Sequence, residues 1–161
     1  MIIINNSGHL KYENLKFRCA LGKAGVKKKI KESDNVTPKG NYKIVQAYYR
    51  ADRIKKLSSC LKFTKIKKNM GWCDDPKSAK YNQLIKLPSK YSHEKLHRKD
   101  NLYDLILVLN FNINPIVKNK GSAIFIHVAK RGFQPTKGCV AITKKNLLYL
   151  IKDIPKNTKI K

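Results

Sequence analysis

Acidic side chains are what this chain has least of. Ten Asp and Glu stand against 36 Lys and Arg, a formal charge of +26 over 161 residues. Arginine is scarce too: Arg18, Arg50, Arg53, Arg98 and Arg131 are the whole set, so lysine carries the excess. A field of this sign attracts anionic partners such as nucleic acid, anionic lipid or an acidic polymer. The cations fall in nearly every segment, however, and no arginine cluster is interleaved with aromatics. A lysine-coated surface is the plainer reading, charge alone names no partner, and no specific nucleic acid is expected.

Cysteine is sparse and unclustered. Cys19, Cys60, Cys73 and Cys139 form no C-x-x-C pair, which argues against a structural zinc site and against a disulfide framework at this length. No metal site and no cofactor are expected. Long apolar runs are missing as well: the N-terminal MIIINNSGHL has no basic flank and stops being apolar after Ile4, and nothing approaches the ~20 residues of a spanning helix. The chain as written therefore reads as soluble and unexported, without a transmembrane segment.

What is present is a foldable, strand-rich sequence. Apolar content of 42% is too high for a disordered chain, and 161 residues suit one domain, 1–161, with a proper core. Met1–Ile4 and Leu15–Leu21 are expected to pair as strands across the polar NNSGHLKYEN, and KAGVKKKIKESDN to form an exposed loop. TPKG at 37–40 reads as a turn, followed by a strand in NYKIVQAYYR, where Tyr48 and Tyr49 pack. Residues 51–69 fit neither a hairpin nor a helix decisively, and GWCDDPKSAKYNQLIKLP is too irregular for one element. Leu102–Leu109 is a strand buried on both faces, and Ser122–Ala129 a second. After Cys139–Ile142, Thr143 caps a closing helix whose apolar positions run from Leu147 to Ile154 until Pro155 stops it. Strands outnumber helices, which makes the chain mainly β within an α+β class.

One stretch combines chemistry-bearing residues. GSAIFIHVAKRGFQPTKGCVAIT places His127 on a strand and Cys139 twelve positions later, after a glycine. Alternation puts Ala123, Phe125, His127 and Ala129 on one face, opposite the more apolar Ile124, Ile126 and Val128. KRGFQPTKG between the two residues can fold back and bring thiol beside imidazole. A free thiol is only slightly ionised at neutral pH, and an adjacent imidazole can take its proton. Gly138 would let a substrate approach the backbone, with the Gly138 and Cys139 N–H groups facing a carbonyl oxygen; one such donor contributes roughly 3 kcal/mol to the transition state. The residues alone fit equally a small buried thiol near a structural histidine.

The segment resembles the L,D-transpeptidase catalytic domain, the YkuD-like family, whose signature is a strand His followed after a loop by Ser/Thr-x-Gly-Cys. Here that is His127 and then Thr136-Lys137-Gly138-Cys139. TPKGNYKI resembles that family's Thr-Pro-x-Gly turn and strand. GWCDDPKSAKYN, SHEKLHRKDNLYDL and the His–Cys stretch, in that order, resemble a branch of single-domain bacterial members, with similarity strongest over residues 15–152. Val128 stands where Gly is usual, Ala141 where a polar residue is common, and Lys137 where His or Arg is common.

The resemblance implies a β-sandwich of mixed sheets with a C-terminal helix, and cysteine acyl transfer on peptidoglycan. Cys139 would be the nucleophile and His127 its base, with Thr136 shaping the loop and orienting the pair, Gly138 and Cys139 supplying oxyanion donors, and Lys137 belonging to the same supporting loop. The donor would be a tetrapeptide stem and the acceptor an amine, giving a 3→3 cross-link, or water, giving an L,D-carboxypeptidase. It implies a place in the bacterial envelope, at odds with the unexported look of the chain. Trp72, Asp74, Asp75 and His93 are candidate cleft residues, a carboxylate there suiting the acceptor's ammonium; the bland counterpart is a loop capping the core, and for His93–Glu94 a helix start. The reading from another class is a non-enzymatic basic module that binds nucleic acid or an anionic wall polymer.

Overall fold

A computed structural model describes residues 1–161. Its strands are β1 (Ile2–Asn5), β2 (His9–Tyr12), β3 (Leu15–Arg18), β4 (Val26–Lys27), β5 (Thr37–Pro38), β6 (Tyr42–Tyr49), β7 (Thr64–Lys65), β8 (Met70–Cys73), β9 (Leu84–Lys86), β10 (His93–Lys95), β11 (Leu105–Leu109), β12 (Phe125–Val128), β13 (Val140–Ile142) and β14 (Lys159–Ile160). The one α-helix, α1, spans Lys144–Asp153. The mainly β class stands, and no helix is long and apolar enough to cross a membrane.

Nine strands make one mixed sheet, in the order β13-β12-β11-β6-β14-β1-β2-β3 with β7 on the side of β6. The two ends of this order meet: beyond β3, Ala20 and Ala141 exchange backbone hydrogen bonds of 2.8 and 2.9 Å, so the sheet curls toward a barrel. Closing a sheet in this way removes an exposed edge. The interior holds a 22-residue core that includes Ile2, Leu10, Leu107, Ile126, Ile142 and Leu150. Helix α1 covers one end of it with Leu147, Leu150 and Ile151. Thr143 caps the helix by accepting from the Asn146 N–H, and the run ends at Ile154 before Pro155, as its spacing implies.

A smaller core lies on the other face of the central strands. Tyr48, Ile106, Val108 and Phe125 meet Trp72, Leu96 and Tyr103 there, under the three-stranded sheet β10-β8-β9. This explains why β11 is buried along its whole length: it has a core on each side.

Several expectations need correction. Met1–Ile4 does not pair with Leu15–Leu21; HLKY between them forms β2, pairs with both neighbours, and buries Leu10 and Tyr12. The polar spacer hid a strand with only two inward side chains. TPKG is not simply a turn, since Thr37–Pro38 is a buried strand, β5, parallel to β4. The basic loop is not wholly exposed either: Lys29 is 5% exposed and pairs with Asp34, whose carboxylate also accepts the Ile30, Lys31 and Val36 N–H groups. His93–Glu94 begins a strand, β10, rather than a helix.

Asp104 ties distant parts of this framework together. Its carboxylate is 1% exposed and accepts from Arg53 and Lys144, both at 2.8 Å, joining the loop after β6 to helix α1. Leu107, fully buried at the centre of β11, measures the main core. Leu107→Ala is expected to lower stability by about 3 kcal/mol and the melting temperature by roughly 10 °C, read by circular dichroism.

Candidate active site

Strand β12 has an antiparallel neighbour, β11, on one side and a parallel one, β13, on the other. A parallel return requires the chain to travel back to the starting end of β12 before pairing. Residues 129–139 do this without a long helix, through a short 3-10 turn at Arg131–Phe133. The register sets His127 beside Ala141 and Ile126 beside Val140. Cys139 therefore lies level with Phe125, two residues or about 7 Å up the strand from His127 and on the same face. The fold-back expected of the loop is present.

Thr136 fixes the approach to the cysteine. Its hydroxyl donates to the Cys139 carbonyl at 2.6 Å and accepts the Gly138 N–H at 3.1 Å. Its backbone pairs with Leu21 and Lys23, and Gly22 between them donates to the Thr37 hydroxyl. The Thr-Pro stretch thus braces the cysteine loop through residues 21–23. Gly138 has φ of 141°, and a Cβ there would sit 2.8 Å from the Val36 carbonyl oxygen. Only glycine fits that conformation at that approach. Its N–H is occupied by Thr136, so Gly138 shapes the loop rather than donating to a substrate. The Cys139 N–H donates to no protein group.

His127 and Cys139 line one cavity of about 370 Å³. His127 is 6% exposed, and its Nδ1–H donates to the Val128 carbonyl at 2.9 Å, since a carbonyl can only accept. In the neutral ring this leaves Nε2 as the basic nitrogen. Tyr103 supports the imidazole edge-on, with ring centroids 5.4 Å apart, and the Arg98 guanidinium lies 5.2 Å from the Tyr103 ring centre. The Cys139 sulfur accepts the Phe125 N–H at 3.4 Å, and its thiol donates to the Ala123 carbonyl at 3.1 Å. Sulfur and imidazole thus face the same space without a hydrogen bond between them. Burial lowers the His127 pKa to about 4 and raises that of Cys139 to about 12, the latter against the opposing Phe125 N–H. The resting pair is a thiol and a neutral imidazole.

Of the other sequence candidates, Asp74, Thr136 and Lys137 also line the cavity. Trp72 does not: it is 2% exposed, packs edge-to-face on Phe125 and donates its indole N–H to Asn82. Asp75 and His93 lie off the cavity too. Asp75 caps its own loop by accepting the Lys77 N–H, and the His93 ring bonds the Tyr91 carbonyl at 2.7 Å. Asp75 thus serves its own loop, His93 stands at the start of strand β10, and Trp72 is packed in the smaller core. Glu94, weighed only as the neighbour of His93, lines the cavity, and residues that sequence reasoning passed over include Glu32, Arg98 and Tyr103. Arg98 and Tyr103 fall inside SHEKLHRKDNLYDL, so the motif held the signal, whereas Glu32 sits in a lysine-rich stretch with none. Glu32, Asp74 and Glu94 line the cavity together with the cations Lys29, Arg98, Lys130 and Lys137, so its wall carries both signs, and the buried Asp74 Oδ1 has no hydrogen-bond partner. No three His, Cys, Asp or Glu side chains converge in a way that would hold a metal ion.

The family model of the YkuD L,D-transpeptidase catalytic domain matches residues 1–161. The chain belongs to this family. Neither a curated protein nor a solved structure matches it. The YkuD assignment supports an L,D-transpeptidase-type enzyme with peptidoglycan as the substrate class. In this member, Ala141 occupies the position beside His127 on the cavity face, so no larger side chain crowds the imidazole.

Two outcomes follow from the buried pair. In the unfolded chain His127 protonates near pH 6.5, but in the folded chain only near 4, so acid favours unfolding across that interval. Stability should fall by about 3 kcal/mol between pH 6.5 and 4, and His127→Gln should remove that slope in denaturant titrations. Gly138→Ala, which forces a Cβ against Val36, should cost about 3 kcal/mol in the same assay.

Proposed function

We propose that this YkuD protein is a cysteine acyl transferase that works on peptidoglycan tetrapeptide stems through a Cys139 thioester, with His127 as the base. The observation that carries the reading is the shared cavity in which the Cys139 sulfur and the free Nε2 of His127 face one another's side.

In this mechanism the stem's third-residue carbonyl enters above Cys139. The thiol leaves the Ala123 carbonyl, passes its proton to His127 Nε2, and sulfur bonds to the carbonyl carbon. The oxyanion is met by the unoccupied Cys139 N–H. Collapse breaks the bond to the terminal D-alanine, which departs with the proton from His127. An amine of a second stem then attacks the thioester, His127 takes its proton and returns it to sulfur, and a 3→3 cross-link remains. Water in place of the amine yields the shortened stem, the L,D-carboxypeptidase outcome. Carboxylates and cations share the wall: Glu32, Asp74 and Glu94 suit a substrate ammonium, and Lys29, Arg98, Lys130 and Lys137 suit a substrate carboxylate. No cofactor takes part, and the substrate places the work in the cell envelope.

A neutral resting pair is compatible with this chemistry. Fixed dipoles and a nearby base can lower the barrier without a stable thiolate, because only the transition state needs the charge. The net charge of +26 favours one other reading, a binder of an anionic wall polymer with no chemistry.

Incubation with a defined disaccharide-tetrapeptide separates the two. Intact mass should show an acyl adduct with release of D-alanine, absent in Cys139→Ala and slowed at least 100-fold in His127→Ala. Acylation should climb as pH rises through the imidazole's pKa near 4 and stay level to about pH 8. Salt-sensitive binding without adduct or D-alanine, unchanged in Cys139→Ala, would decide for the binder.

A further inference from the structure

The residues just before β12 hold the sulfur, and they are not in an ordinary strand conformation. Ala123 has φ of 52°, in the left-handed region that disfavours a residue with a Cβ. Its carbonyl accepts the Cys139 thiol proton at 3.1 Å. Something outside the segment must keep it in place.

Asn82 is that support. It is 3% exposed, and its side-chain oxygen accepts the Ala123 N–H and the Trp72 indole N–H, each at 3.0 Å. Its amide nitrogen donates to the Phe111 carbonyl at 3.1 Å and the Asn112 carbonyl at 2.7 Å. All four hydrogen-bonding sites of the amide are used, so its orientation is fixed. Tyr81 repeats the arrangement one residue earlier, its hydroxyl accepting the Gly121 N–H at 2.9 Å. The 81–82 pair is a template on which residues 121–123 are laid down. Neither Tyr81 nor Asn82 is among the residues that line the cavity.

We propose that Asn82 is a positioning residue for the nucleophile: it holds Ala123 in its left-handed conformation and so keeps the Ala123 carbonyl as the resting acceptor of the Cys139 thiol proton. This rests on the reading of Cys139 as the nucleophile. The clamp stores the thiol in its protonated form, aligned on the strand, until a substrate carbonyl arrives. It also accounts for Asn82 within GWCDDPKSAKYN, a stretch whose acidic residues drew attention first. Trp72 belongs to the same device, because its indole occupies the second acceptor site of the Asn82 oxygen.

Alkylation of Cys139 by iodoacetamide tests the clamp without any murein substrate. The rate is followed against pH and read by peptide mass, so that Cys19, Cys60 and Cys73 are counted separately. Without its carbonyl acceptor the neutral thiol is less favoured. In Asn82→Ala the Cys139 profile should move down by about one pH unit, and the rate at pH 8 should rise about tenfold. Adding Ala123→Gly to that variant should bring the profile at least halfway back, because glycine takes the left-handed conformation unaided. A parental profile in Asn82→Ala with nothing but a lower melting temperature would overturn the proposal, as would a double variant no different from the single. Should Asn82→Ala fail to fold, amide hydrogen exchange in the unaltered protein decides. Ala123 N–H slowed at least 100-fold relative to a free loop supports the clamp, and exchange at the free-loop rate rejects it. Failure of the parent protein to form an acyl adduct would remove the nucleophile reading while leaving the alkylation result to stand by itself.

Discussion

The parallel pairing of β12 with β13 is the constraint on which the site depends. It makes the chain return to the start of β12, sets Cys139 level with Phe125, and points the sulfur out of the same face as His127. A one-residue slip in that register would turn the cysteine into the main core and bring Val140 to the cavity. The register is held on both faces. Ile126, Val128, Val140 and Ile142 interlock in the large core, while Phe125 packs on Trp72 and Tyr103 in the small one. The backbone exchange between Ala20 and Ala141 then ties the middle of β13 to the far end of the sheet. The geometry of the pair is thus a property of the closed sheet, not of the loop alone.

That dependence explains which parts of the molecule were legible from residues. Alternation in FIHV identified the face of His127, and helical spacing after Thr143 identified α1, because both signals are local and each element buries one clean side. The strand at 42–49 was visible for the same reason. β2 was not, because four residues with two inward side chains look like polar spacer until the sheet supplies partners on both sides. The small sheet of β8, β9 and β10 was equally opaque: its strands are three or four residues long, and its core depends on aromatic contacts with Phe125 and Tyr103, far away in sequence. Trp72 looked like a cleft residue because a lone tryptophan beside two aspartates invites that thought. Its indole N–H turns instead to Asn82, a buried partner that no local pattern announces.

The scarcity of acidic residues takes on meaning once they are located. Asp34, Asp52, Asp100 and Asp104 are held in ion pairs, with Lys29, Arg50, Arg98 and the Arg53–Lys144 pair respectively. Glu32, Asp74 and Glu94 surround the cavity. Of ten acidic residues in the chain, seven therefore sit in ion pairs or around the cavity, and of the paired ones only Asp104 joins segments distant in sequence. The surplus lysines have no comparable assignment and coat the outside, where isolated surface charges contribute little to stability. Bulk charge described the surface of this protein, and two of the minority sign, Asp34 and Asp104, are the ones whose carboxylates are buried in ion pairs.

The cavity chemistry also bears on durability. Oxidation of a cysteine follows its thiolate character and exposure, so a reactive sulfur kept ionised at rest is exposed to damage between turnovers. Here burial and the Ala123 carbonyl both favour the thiol, and the imidazole beside it stays unprotonated down to about pH 4. A pair of this kind forms charge only when a carbonyl carbon is present to accept the sulfur's electrons. In the proposed mechanism the cost is a larger proton-transfer demand during attack, which the Phe125 N–H on sulfur and the Cys139 N–H, proposed as the oxyanion donor, would partly offset. On that mechanism reactivity would be tied to occupancy of the cavity, because the groups that lower the barrier would act on a charge that only a bound substrate brings into being.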